Sequence, residues 1–135
     1  MAGEHILIVD DEANIRTLLA RLCQREGYDP VTADDGAAAI RCLEAREPDI
    51  CIADLRLPDT DGLQILRRVK ERYPDCEVIV LTGYGDLATA VEALRLGAYD
   101  YLLKPVLDLE TIVNTLSRAL ERQRLARDNA RLLRG

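Results

Sequence analysis

Short apolar runs alternate with helical patterns along the whole chain. Runs at residues 5–9, 30–33, 49–53, 77–81 and 99–103 have the length of buried strands. Between them Ile15, Leu18, Leu19 and Leu22 recur at helical spacing, as do Ala37, Ile40 and Leu43. Leu63, Leu66 and Val69, then Leu87, Val91 and Leu94, predict two more amphipathic helices with an apolar stripe toward a core. Gly27, Gly36, Pro48, Gly62, Pro74, Gly85, Gly97 and Pro105 punctuate these segments. Five strands alternating with five helices predict an α/β fold, a single doubly wound parallel sheet covered on both faces.

After Asp108, a good helix N-cap, one helical pattern continues to about Leu133. Leu109, Ile112, Leu116, Ala119, Gln123, Ala126, Ala130 and Leu133 follow a 3–4 spacing, which reads as a heptad seam with small and polar residues in its second half. The competing expectation is a fifth helix that packs on the sheet and then frays. The division expected from this is a domain over residues 1–122 and a helical extension over 123–135.

In a doubly wound sheet ligands bind beyond the carboxyl ends of the strands. The residues placed there are Asp10 and Asp11 after the first strand, Asp54 after the third, Thr82 after the fourth and Lys104 after the fifth. Carboxylates about 5 Å apart repel by roughly 3 kcal/mol per pair at an effective dielectric near 20. Lys104 offsets part of that repulsion, and a hard divalent cation with oxygen ligands would offset the rest; Mg²⁺ suits such donors better than zinc. With a metal present, a carboxylate can attack phosphorus, and phosphoryl transfer needs little beyond positioning and charge neutralisation. Taken singly, each residue has a plainer reading: Asp10 or Asp11 as a helix cap, Asp59 or Asp61 as a turn or cap residue, Thr82 as a strand-end hydroxyl, Lys104 as a surface charge.

Composition narrows the alternatives. The 135 residues suffice for one domain with a core. A net charge of −6 argues against nucleic-acid binding by the domain as a whole. Charge is uneven, however, because six Arg face only Glu121 and Asp128 from Arg118 onward. Cys23, Cys42, Cys51 and Cys76 lack C-x-x-C pairing and sit in or near apolar segments, as expected of buried thiols in a reducing compartment. No run is long enough to span a membrane, so a cytoplasmic location with no membrane partner is expected.

The set "ILIVDDE", "ADLRLPDTDG", "VIVLTGYGD" and "GAYDYLLKP" resembles the receiver domain of two-component response regulators over roughly residues 4–122. The stretch "LTGYGDLATAVEALRLGAYDYLLKP" is similar to receivers of sigma-54-dependent activators. The resemblance implies a flavodoxin-like sheet of strand order 2-1-3-4-5 and a Mg²⁺-dependent phospho-acceptor rather than a turnover enzyme. It makes Asp54 the phospho-acceptor and Asp10, Asp11, Asp54 and the backbone carbonyl of Arg56 the metal set. Thr82 and Lys104 would attend the phosphoryl group, and Tyr101 would be the aromatic switch residue coupled to Thr82. The Lys104–Pro105 bond is expected to be cis. A histidine kinase is the implied donor, and the face made by the fourth helix, fifth strand and fifth helix, with the C-terminal helix, is the implied homodimer surface. Arg56 and Tyr84 are expected to overhang the phosphoryl group and tune its lifetime.

Three rival readings are weaker. "GYGDLA" satisfies G-x-G-x-x-A, but it follows the fourth strand and no acid ends the next one, as a dinucleotide site would require. Gly83 there is better read as room for a phosphoryl group. An Asp-nucleophile hydrolase usually carries D-x-D after its first strand, whereas the acids here are adjacent. An inert interaction domain would have lost one of the acids, the Thr or the Lys.

Overall fold

The structure, a computed structural model, describes residues 3–105 and 108–134, the side chains of Tyr84 and Arg134 excepted. Its elements run β1 (His5–Val9), α1 (Ala13–Arg25), β2 (Asp29–Ala33), α2 (Gly36–Ala45), β3 (Ile50–Asp54), α3 (Gly62–Arg72), β4 (Glu77–Thr82), a 3₁₀ turn (Tyr84–Asp86), α4 (Leu87–Arg95), β5 (Asp100–Leu103) and α5 (Leu109–Arg134). The strands form one parallel sheet in the order β2-β1-β3-β4-β5. The expected fold class and strand order are therefore the observed ones.

Alternation along the strands divides the apolar side chains between two layers. Leu7, Val9, Cys51, Ala53, Val78 and Val80 face α2, α3 and α4. Ile6, Ile8, Ile50, Ile52, Ile79 and Leu81 face α1 and α5. All of β1, β3 and β4 is buried, which is why these strands read as unbroken apolar runs. Burial pushes the Cys23 and Cys51 thiols up to about 12, so they serve as small apolar side chains.

Helix ends follow local chemistry. Asp35, Asp61 and Asp108 accept hydrogen bonds from backbone N–H groups three residues on, at 2.8, 3.0 and 3.1 Å. Asp59 reaches across to α2 and accepts from the N–H groups of Gly36 and Ala37. Gly27 and Gly97 follow α1 and α4 at φ of 85° and 109°, a conformation other residues rarely adopt. The Lys104–Pro105 peptide is cis.

Three expectations need correction. Leu87, Val91 and Leu94 do not face the core; they are 40%, 48% and 38% exposed, and α4 packs through Ala90 and Ala93 instead. Tyr99 and Tyr101 would share a face if the fifth strand ran over residues 99–103, as its apolar run predicts; instead Tyr99 precedes β5 and packs with the α1/α5 layer, whereas Tyr101 packs with the opposite layer. The first half of the α5 seam is not free for a partner, because Ile112, Leu116, Ala119 and Gln123 are buried against their own sheet.

Beyond that stripe α5 is held by polar contacts at the base of the sheet. The Gln123 amide donates to the Asp49 carbonyl at 2.9 Å. Arg122 pairs with Glu77, and Arg127 reaches Glu47, Asp49 and Asp75 at 3.1, 3.4 and 3.9 Å. The basic tail thus neutralises acids of the α2–β3 and α3–β4 loops. Leu125, Leu132 and Leu133 are 59%, 80% and 82% exposed.

Leu116→Ala is expected to lower unfolding free energy by about 2–5 kcal/mol, read from the denaturant midpoint. Leu133→Ala should change it by less than about 0.5 kcal/mol.

Candidate functional site

Parallel register brings the strand ends together. Val9 lies opposite Ala53, so Asp10 emerges beside Asp54; Asp54 lies opposite Leu81, and Thr82 opposite Leu103. The Lys104 N–H donates to the Thr82 carbonyl at 2.8 Å, extending the ladder to the site lysine. Asp10, Asp11, Glu12 and Asp54 place a carboxylate oxygen each within 4.8 Å of one another. The Lys104 ammonium lies 3.0 Å from Asp10, 2.9 Å from Glu12 and 2.8 Å from Asp54.

Local backbone bonds fix the acids. Asp10 Oδ1 accepts from the Glu12 N–H at 2.8 Å, and Asp54 Oδ1 accepts from the Arg56 N–H at 3.1 Å. Asp10 does not cap α1, whose N-cap residue is Glu12 and makes no capping hydrogen bond with its side chain. Asp61 caps α3, and Gly62 lets that helix sit against the site: a Cβ there would lie 2.6 Å from the Asp54 carbonyl oxygen. Apart from its two chain neighbours, an added Cβ on Gly83 would meet no atom within 4 Å.

Electrostatics set the character of this edge. Four carboxylates face one ammonium, a formal charge of −3 with all five groups ionised. Burial raises the pKa of Asp10; bonds to the Glu12 N–H and to Lys104 oppose that, and the neighbouring Asp54 charge adds to it. For Lys104 burial alone would lower the pKa, but its pairs with Asp54, Glu12 and Asp10 outweigh burial and raise it. Asp10 Oδ2 is buried and ion-paired to Lys104, yet accepts no well-directed hydrogen bond. A hard cation among carboxylate oxygens fits that oxygen, the donor set and the residual charge; thiol and imidazole donors are absent from the cluster.

The structure therefore gathers Asp10, Asp11, Asp54, Thr82 and Lys104 at one edge. Thr82 is 1% exposed and its hydroxyl donates to the Gly83 carbonyl at 3.1 Å, not to an acid. Tyr101 is half-buried one strand away, opposite Val80. The Arg56 side chain turns to Asp86 instead, through two hydrogen bonds of 2.7 and 2.6 Å. The Tyr84 side chain, expected over the site, lies outside the described residues. Sequence reading missed Glu12 as a Lys104 partner and Asp86 as the Arg56 partner. Glu12 adjoins the Asp pair and was visible as a third acid; nothing local marked Asp86.

Polar groups converging on the carboxyl edge of a doubly wound five-stranded sheet define the class of domain. The model of the response regulator receiver domain matches residues 6–117, and the chain belongs to that family. The regulatory protein AtoC of Escherichia coli is 37% identical over 127 residues, 94% of this chain and 27% of its own length. NtrX of Brucella abortus, crystallised with ADP, superposes with a TM-score of 0.91 at 36% identity over 98% of this chain and 30% of that one. A receiver domain protein of Clostridium thermocellum gives 0.85 at 32% identity, covering 93% of this chain and 99% of its own. The chain thus spans about a quarter of the length of AtoC. Among the described residues no helix is long and apolar enough to cross a membrane.

Replacing Lys104 with Met leaves the acids facing one another. In the absence of divalent ions, stability at pH 7 should fall by on the order of 2 kcal/mol. Lys104 holds the Asp10 pKa down against burial, so its loss raises that pKa further and makes acid favour the folded variant more than it favours folded wild type. The deficit of Lys104→Met should accordingly be smaller around pH 5 than at pH 7, measured as urea midpoints.

Proposed function

We propose that the domain accepts a phosphoryl group from a histidine kinase on Asp54, in a Mg²⁺-dependent reaction, and reports it through the face of α4, β5 and α5. The observation that carries this reading is the shared contact of Lys104 with Asp10 and Asp54 inside a four-carboxylate cluster. Asp10, Asp11 and Asp54, with the Arg56 carbonyl, are the groups that would hold Mg²⁺. When bound, the ion neutralises charge on the phosphoryl oxygens.

An Asp54 oxygen forms the new P–O bond as the P–N bond of a phosphohistidine breaks; the imidazole leaves with the electron pair. Lys104, already 2.8 Å from Asp54, follows the charge onto the phosphoryl oxygens. The Thr82 hydroxyl exchanges the Gly83 carbonyl for one of those oxygens. By alternation Thr82 and Val80 share a sheet face, and Val80 is the register partner of Tyr101, so space vacated by Thr82 is open to the Tyr101 ring. Phosphorylation then biases a two-state equilibrium of the existing fold. Arg56 and Tyr84 set how long the phosphoryl group persists.

Exposed Leu87, Val91 and Leu94 on α4 supply an apolar surface on this face, and Leu125 and Leu132 extend apolar surface along α5. A second copy is the proposed occupant. The relatives named regulatory proteins support coupling to a further domain in a longer protein.

Incubation with Mg²⁺ and acetyl phosphate should yield a single acid-stable, base-labile adduct by mass spectrometry, absent in Asp54→Asn. Sustained phosphate release with no adduct would instead indicate a hydrolase. Solution mass should rise toward a dimer when beryllofluoride and Mg²⁺ are added; an unchanged mass would sink the dimer while leaving the phospho-acceptor intact.

A further inference from the structure

The Arg56–Asp86 pair joins the two loops that flank the phospho-acceptor. Arg56 sits two residues after Asp54, its backbone bridged to Asp61 and its N–H bonded to the Asp54 carboxylate. Asp86 ends the 3₁₀ turn that follows Thr82 and immediately precedes α4. The guanidinium engages both carboxylate oxygens in a fork, Nε to Oδ2 and Nη2 to Oδ1. The tie therefore links the loop after β3 to the start of α4.

Asp86 also occupies the N-cap position of α4, yet its side chain makes no capping hydrogen bond. Asp is among the best residues for that position, as Asp35, Asp61 and Asp108 show in this same chain. Here the carboxylate is committed to Arg56, and the Asp86 backbone stands at φ −114°, ψ 19°, away from the extended geometry of Asp35 and Asp61. One carboxylate thus has two mutually exclusive partners, a guanidinium and the first turn of a helix.

We propose that Asp86 is a positioning residue that holds Arg56 while Asp54 is unmodified, and that phosphorylation draws the guanidinium to the phosphoryl oxygens and releases Asp86 to cap α4. This rests on the phospho-acceptor reading and adds to it a route from Asp54 to α4 separate from Thr82 and Tyr101. The driving force is charge. A phosphoryl group carries nearly two negative charges and three acceptor oxygens against one charge on Asp86. Arg is suited to such planar, bidentate exchange, and its side chain is 78% exposed and free to swing. Capping favours a regular first turn over the present 3₁₀ entry, and the turn so remodelled carries Leu87 of the exposed apolar stripe.

The test is amide hydrogen exchange of residues 85–91 in the full chain, with and without Mg²⁺ and beryllofluoride. Wild type should change exchange there on loading. Asp86→Asn keeps a capping side chain but loses the charged fork. In the free state it should already show the exchange of loaded wild type at residues 87–91, and change little further on loading. Arg56→Ala should likewise lose the tie, and Arg56→Ala/Asp86→Asn should match the single variants rather than add to them. The expected difference between variants and wild type in the free state is about two- to fivefold in exchange rate. Equal denaturant midpoints would confine the effect to the turn. If both single variants exchange as wild type in the free state, the proposal falls. If wild type takes up neither beryllofluoride nor a phosphoryl group on Asp54, the underlying functional reading fails instead.

Discussion

Lys104 lends one positive charge to Asp10, Glu12 and Asp54 together, at 2.8–3.0 Å. Like charges this close in a partly dry site repel strongly, and the sheet tolerates them only because that ammonium is fixed among them. Its position is not a matter of side-chain reach alone, since the Lys104 N–H continues the β4–β5 ladder onto the Thr82 carbonyl. The counter-charge is therefore part of the sheet. A residual formal charge of −3 makes the edge a natural place for a further cation, and Asp10 Oδ2, though ion-paired to Lys104, still lacks a well-directed hydrogen bond.

A one-residue offset gives the edge two sides. Side chains of even number on β1, β3 and β5 point to the α1/α5 layer, which carries Asp10, Asp54 and Lys104 to that side. On β4 the parity is reversed: Ile79 and Leu81 face α1 and α5, while Val78 and Val80 face α3 and α4. Thr82 thus belongs to the α3/α4 side, with Tyr101. Asp10, Asp54 and Lys104 sit on one face of the sheet and the Thr82 hydroxyl and the Tyr101 ring on the other. The Arg56–Asp86 tie lies beyond the strand ends, with its arginine exposed and its carboxylate largely covered.

Much of this was legible because parallel strands share one carboxyl edge: locating the ends of five apolar runs places Asp10, Asp11, Asp54, Thr82 and Lys104 together without knowledge of side-chain geometry. What stayed illegible has physical reasons. A stripe at 3–4 spacing is the same whether it packs on a sheet or on a second helix, so the seam of α5 could not be assigned. Leu87, Val91 and Leu94 looked like a core stripe because large side chains dominate the pattern, yet close packing against the sheet used the small Ala90 and Ala93. The partnership of Arg56 with Asp86 joins residues thirty apart through freely rotating side chains, which no local periodicity encodes.

The grip of Arg127 on Glu47, Asp49 and Asp75 has a practical corollary. The family match ends at residue 117, and a fragment trimmed there would still contain every strand and the whole carboxylate cluster with Lys104. It would also leave Glu47, Asp49 and Asp75 without Arg127 and uncover the Asp49 carbonyl that Gln123 now shields. Fragments made for biophysics should therefore run past Arg127, or their altered solubility and melting will be mistaken for properties of the receiver itself.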